Sequence, residues 1–159
     1  MRLPLALAAL LALNASVLAA APAVSSNAAQ KTAVLNVVAQ SDTSNSGLNF
    51  NGASKGGKTF TVPLGWTVTL KFTNAGAMPH SVVLARAGAP ALSYDTDAAA
   101  FAGAATKEPL QGVVKADTFT FKANKAGQYV LICGVPGHGM GGQYVKFEVS
   151  TSAKAASFK

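Results

Sequence analysis

From residue 59 onward the chain keeps returning to one pattern, in which apolar side chains alternate with Thr or Lys. Phe60 and Val62 alternate with Thr59 and Thr61. Trp66, Val68, Leu70 and Phe72 alternate with Thr67, Thr69 and Lys71, and Phe119 and Phe121 with Thr118, Thr120 and Lys122. Successive side chains of a strand point to opposite faces, so a period of two buries one face and wets the other, which a helix cannot do with the same residues. Residues 34–39, 81–85, 129–132 and 143–149 are further strand candidates, each bounded by Gly, Pro, Asn or Asp on at least one side. About seven to eight short strands separated by turn signals predict an all-β fold, an antiparallel β-sandwich or barrel. Its span is 33–150, and a chain of 159 residues holds one such core. Residues 86–112 interrupt the alternation. They are Ala-rich around 95–105 and are expected to form one short helix or an insertion wrapped on the sandwich surface.

The N-terminus follows a different rule. Met1 and Arg2 are followed by an almost wholly apolar run over 3–21, closed by Ala19, Ala20, Ala21, Pro22 and Ala23. Residues 1–23 therefore read as a secretory signal peptide, with cleavage frames after Ala21 and after Ala23. The alternative is an uncleaved membrane anchor, because the run approaches the length of a transmembrane span although Pro4 and Asn14 weaken it. In either case the domain is exported, to the periplasm or the cell surface, and touches a membrane only if the segment is retained. Residues 24–32 and 151–159, rich in Ser, Ala and other small or polar residues, are expected to be a flexible linker and a frayed tail. The net charge of +7 comes from basic residues scattered from Arg2 to Lys159. Without a cluster they make no nucleic-acid footprint.

The chain has one cysteine, Cys133, and two histidines, His80 and His138. One cysteine forms no internal disulfide and completes neither a four-thiolate zinc site nor a binuclear copper centre. Strand parity shows where these residues point. His80 shares a face with Val82 and Leu84, Cys133 with Tyr129 and Leu131, and Gln143 with Val145, Phe147 and Val149. The cysteine, one histidine and one glutamine thus face the interior at strand ends. His138 lies in the loop 134–142, whose five glycines allow a tight bend around a small object. Since all Cys and His residues fall at ligand-compatible positions, the pattern reads as a metal cage. One thiolate, two imidazoles and a weak fourth ligand suit mononuclear electron-transfer copper, with Met, Gln or a backbone oxygen in the axial position. Catalytic zinc would need an open water position and usually an acidic general base, and no acidic residue lies near these ligands in sequence. A Cys133–His138 nucleophile lacks an orienting third group.

The segment Tyr129-Val130-Leu131-Ile132-Cys133-Gly134-Val135-Pro136-Gly137-His138-Gly139-Met140-Gly141-Gly142-Gln143, with Pro79-His80 upstream, resembles the type 1 copper site of the cupredoxins. Within that class, Phe50-Asn51-Gly52, Val62-Pro63-Leu64-Gly65-Trp66, Phe72-Thr73-Asn74 and Met78-Pro79-His80 are similar to the sulfocyanins. The resemblance spans residues 48–149, with gaps across 86–112. It implies a Greek-key β-sandwich carrying one type 1 copper per chain, with His80, Cys133 and His138 as equatorial ligands. Two positions depart from the pattern. Sulfocyanins carry an axial Met five residues after the loop histidine, where this chain has Gln143, similar to stellacyanin-type sites; Met140, two residues after His138, is the alternative. The family commonly has Asn after the first histidine, tying the ligand loops together. Here Ser81 follows His80, and that tie is expected to be weaker or absent.

These readings predict a monomeric carrier of single electrons, cycling Cu(II) and Cu(I) and transforming no substrate. Its partners are redox proteins of a respiratory or other electron-transfer chain, docking near His138. No charged residue occurs from Leu131 through Val145, which leaves an uncharged apolar surface there. The alternative from another class is copper storage, delivery or sensing, for which Met78 and Met140 beside the site are the supporting residues.

Overall fold

The computed structural model of the protein describes residues 21–88 and 90–159. All but the last three residues of the expected signal or anchor lie outside the described residues. Among the described residues no helix is long and apolar enough to cross a membrane.

Among the described residues nine strands form two sheets: β1 (Val24–Asn27), β2 (Thr32–Ala39), β3 (Thr59–Pro63), β4 (Thr67–Asn74), β5 (Val83–Arg86), β6 (Ala116–Lys122), β7 (Gly127–Ile132), β8 (Tyr144–Ser150) and β9 (Ser157–Phe158). One sheet has the order β1-β2-β4-β6 and the other β5-β7-β8-β3-β9. From β2 to β7 each strand lies in the opposite sheet from the one before it. This shuttling makes β2 and β4 run parallel, and β3 and β8 likewise, so the sheets are mixed where the alternation alone suggested antiparallel pairing. The β7–β8 connection is a hairpin within one sheet, and its loop carries Cys133 and Gln143 at its two ends and His138 midway between them.

The alternation lands as its period requires. Leu35, Val37, Phe60, Val62, Val68, Leu70, Phe72, Phe121, Leu131, Val145 and Phe147 are buried between the sheets. Fully burying such a side chain contributes roughly 1.5–3 kcal/mol relative to exposure. A one-residue slip of β8 would bring Lys146 and Glu148 inside in place of Val145, Phe147 and Val149, so the register of the site hairpin is held by the core.

Among the described residues of 86–112 there is no α-helix; past Arg86, which ends β5, a 3-10 turn at Thr96–Ala98 is the regular element. The segment covers the outer face of β5 and β7, where Val83, Ala85, Val130 and Ile132 pack with Tyr94, Ala98, Ala99 and Ala105. It also occupies the free edge of β5: Ala100 N–H donates to the Leu84 carbonyl at 2.7 Å, Leu84 N–H to Ala104 at 2.9 Å and Thr106 N–H to Val82 at 2.9 Å.

The two ends differ from the linker and frayed tail expected of them. Residues 24–27 are β1, paired antiparallel with β2, and Ala23 and Val24 pack against the core. Residues 157–158 are β9, paired with β3, and the Phe158 ring stacks on Phe60 at a centroid distance of 4.1 Å. In each case a few apolar groups amid polar neighbours anchor the segment to a sheet edge whose backbone groups need partners.

Candidate metal centre

His80, Cys133 and Gln143 stand just outside strands, and His138 lies midway along the loop between β7 and β8. His80 precedes β5, and its backbone is fixed by a two-way bridge with Val113: Val113 N–H donates to the His80 carbonyl at 2.7 Å and His80 N–H to the Val113 carbonyl at 3.4 Å. Asn74, at the end of β4, shapes the approach to it by donating to the carbonyls of Met78 at 2.6 Å and Val113 at 3.0 Å. Cys133 follows β7 and Gln143 precedes β8, and Cys133 N–H donates to the Gln143 carbonyl at 3.1 Å, closing the loop at its base. Within the loop, Gly141 N–H bonds back to the Gly137 carbonyl at 2.8 Å, and Gly137 and Gly142 take φ values of 83° and 100° that favour glycine.

These elements bring the sole cysteine and both histidines together. One ligand atom from each of His80, Cys133 and His138 lies within 4.8 Å of the others. Cys133 Sγ is 3.6 Å from His138 Nδ1, and the imidazole centroids are 5.0 Å apart. Gln143 belongs to the same cluster, its Oε1 2.9 Å from His80 Nδ1. His80, Cys133 and Gln143 are completely buried, whereas His138 is half-buried. Met140 is 61% exposed, its side chain directed largely to solvent.

Burial lowers the pKa of both histidines; for His80 the Gln143 amide oxygen, accepting from the ring, partly opposes this, and the neighbouring His138 adds to it. Both rings are therefore neutral at pH 7, the form that ligates a metal. Burial pushes the Cys133 thiol up, against the backbone N–H groups of Ser81 and Val135, which favour the thiolate. A cation entering here displaces the thiol proton. Soft sulfur and borderline imidazole, with no Asp or Glu in the group, suit copper and suit calcium or magnesium poorly.

The expectation for Ser81 is corrected. Its hydroxyl donates to the Pro109 carbonyl at 2.8 Å and accepts from Gly134 N–H at 2.8 Å, and its backbone N–H donates to Cys133 Sγ at 3.4 Å. The shorter side chain makes the tie because the chain comes close: a Cβ on Gly134 would collide with the carbonyl of Tyr94 and with Pro109. Segment 86–112 is therefore part of the wall of the site. Three contributors escaped the sequence reading. Pro109 and Asn49 carry no local signal, and Gln40, whose Oε1 is 3.4 Å from His80 Nε2, reads in sequence as the polar end of a strand.

Two mixed sheets packed face to face, with one thiol and two imidazoles gathered at the loop end of a hairpin, define a cupredoxin. Solved structures share the fold. Auracyanin A, a blue copper protein from Chloroflexus aurantiacus, is 22% identical, with 75% of this chain and 99% of that one covered and a TM-score of 0.53. The auracyanin of Roseiflexus castenholzii is 28% identical, with 76% and 97% covered and a TM-score of 0.53. Residues 19–158 match the Sulfocyanin (SoxE) domain. The chain is also 30% identical over 138 residues to the sulfocyanin of Sulfolobus acidocaldarius, covering 81% of this chain and 69% of that protein. The chain belongs to the sulfocyanin family.

Proposed function

We propose that this protein is an exported mononuclear blue copper electron carrier, with His80, Cys133 and His138 as equatorial ligands and Gln143 as the axial one. The observation that carries the reading is the convergence of the single cysteine and both histidines within 4.8 Å at one end of the sandwich. Copper bound there supplies one-electron chemistry through Cu(II) and Cu(I). The chain supplies everything around that couple. The bridge at Val113, the base of the hairpin and the Ser81 ties hold the donors in one arrangement, so the same ligand set serves both oxidation states. Burial of His80, Cys133 and Gln143 keeps water from the donors, while the half-buried His138 ring offers the route for the electron to a partner.

The surface around that ring suits brief docking. Met140 in the ligand loop and Leu92 are exposed apolar side chains, and Leu92 is tied to that loop by Gly137 N–H donating to its carbonyl at 2.8 Å. Such a face excludes water without holding a partner by ion pairs. Redox proteins of an electron-transfer chain are the partners, met by a monomer in the periplasm or at the cell surface, as the secretory character of residues 1–23 supports. Storage or delivery of copper fits less well, because handing the ion over needs accessible donors and those here are buried. Copper titration of the purified protein tests the reading: one equivalent per chain with an intense visible band supports it, and colourless, readily removed Cu(I) favours the alternative.

A further inference from the structure

Gln40 directly follows β2, and its backbone lies in the left-handed region at φ 50°, which a residue with a Cβ seldom adopts. This conformation accompanies a side chain that reaches the buried histidine: Gln40 Oε1 is 3.4 Å from His80 Nε2. Its backbone N–H donates to the Asn49 carbonyl at 3.1 Å, the same oxygen that accepts Gln143 Nε2 at 3.3 Å. The amide lies in a slot made by two glycines. A Cβ on Gly47 would come within 3.0 Å of Gln40 Cδ and Nε2, and a Cβ on Gly76 would overlap the Gln40 amide outright. Gly76 does not have the positive φ that would itself call for glycine; the space taken by the Gln40 side chain is what excludes a larger residue there.

The two nitrogens of His80 are thus used on opposite sides. Nδ1 faces Gln143 and the donor cluster, and Nε2 faces Gln40. A histidine that ligates through Nδ1 carries its ring proton on Nε2, and the acceptor of that proton fixes both the tautomer and the plane of the ring. We infer that Gln40 is a positioning residue of the copper centre, its amide oxygen accepting the Nε2 proton of His80 and holding the ring so that Nδ1 faces the ion. The inference rests on His80 being a copper ligand, as proposed above.

The test compares wild type with Gln40→Met, which keeps the length but removes the acceptor oxygen, and Gln40→Glu, which keeps an acceptor. Cu(I) affinity is read by competition with a chelator, and the ring N–H of His80 by NMR of the diamagnetic Cu(I) protein. Gln40→Met should lose about tenfold or more in affinity, in line with the loss of a hydrogen-bond partner to a metal-bound histidine. Its His80 Nε2–H signal should exchange quickly with water, where wild type exchanges slowly. Gln40→Glu should restore both. Should Gln40→Met not fold, Gln40→Asn, too short to reach the ring, carries the same expectation. A blue wild type whose affinity and His80 signal are unchanged in Gln40→Met overturns the inference alone. A wild type that binds no copper through His80 overturns it together with the copper reading.

Discussion

The side-chain oxygen of Gln143 stands 2.9 Å from Nδ1 of His80 while the nitrogen of the same amide donates to the Asn49 carbonyl at 3.3 Å. One end of the amide is occupied, so the other presents oxygen to the donor cluster. With Gln143 completely buried and Met140 61% exposed, the arrangement supports the proposed amide oxygen as fourth donor.

An amide oxygen is harder than a thioether and favours Cu(II) over Cu(I). Gln143→Met should raise the reduction potential by more than about 60 mV, a tenfold change in the ratio of Cu(I) to Cu(II) affinity for a one-electron couple. Met140→Gln should leave it within a few millivolts of wild type, on the order of the measurement's scatter. Voltammetry of the two variants decides; a shift confined to Met140→Gln would assign the axial place to Met140.

Ser81→Ala leaves the Gly134 N–H and the Pro109 carbonyl without their partner in a buried place. An unsatisfied buried polar group costs about 1–3 kcal/mol, so the variant should unfold at lower denaturant concentration with an unchanged slope. The loss should appear in the copper-free protein as well, because the tie joins chain to chain. An unchanged midpoint would mean that the hydroxyl contributes nothing to the closure of the site.

Copper itself should stabilise the fold, since the donors are assembled only in the folded chain. At a free concentration a hundred times the dissociation constant the gain is about 2.7 kcal/mol. Thermal unfolding with and without a chelator should show it in wild type, and far less in Cys133→Ser. Equal transitions in the wild type with and without chelator would contradict an ordered metal site.

Exchange with a redox partner should depend on the uncharged surface at His138. Val135→Lys and Met140→Lys place a charge where none occurs from Leu131 through Val145. Both should slow electron exchange while leaving the visible spectrum nearly intact, and added salt should have the smaller effect on wild type. Stopped-flow exchange rates unchanged in both variants would remove this face as the docking surface.

Which features could be read from sequence follows from how far each signal reaches. Parity placed Leu131 with Cys133 and Val145 with Gln143, because period two is a local property and the core enforces it. The family resemblance of the Cys133 to Gln143 segment marked the hairpin loop. The strands β1 and β9 were hidden because four and two residues carry little alternation, and their pairing depends on an edge elsewhere in the chain. The Ser81 tie was misread because a short hydroxyl suffices only where Gly134 lets Pro109 come near, a distance that no local pattern encodes. Gln40 gave no signal, since a left-handed glutamine at the end of a strand looks like any other polar residue at a turn.

Copper held by the Cys133 thiolate beside two histidines, as proposed, would have a spectral signature of its own. The measurement that tests this proposal most directly is the visible and paramagnetic-resonance spectrum of the Cu(II)-loaded protein, recorded for wild type and for Cys133→Ser. The structure predicts an intense thiolate-to-copper band with a narrow copper hyperfine splitting in wild type, and loss of both in Cys133→Ser with the sandwich still folded by far-ultraviolet circular dichroism. A Cys133→Ser protein that keeps the intense band, or a folded, copper-loaded wild type without one, would contradict the site described here.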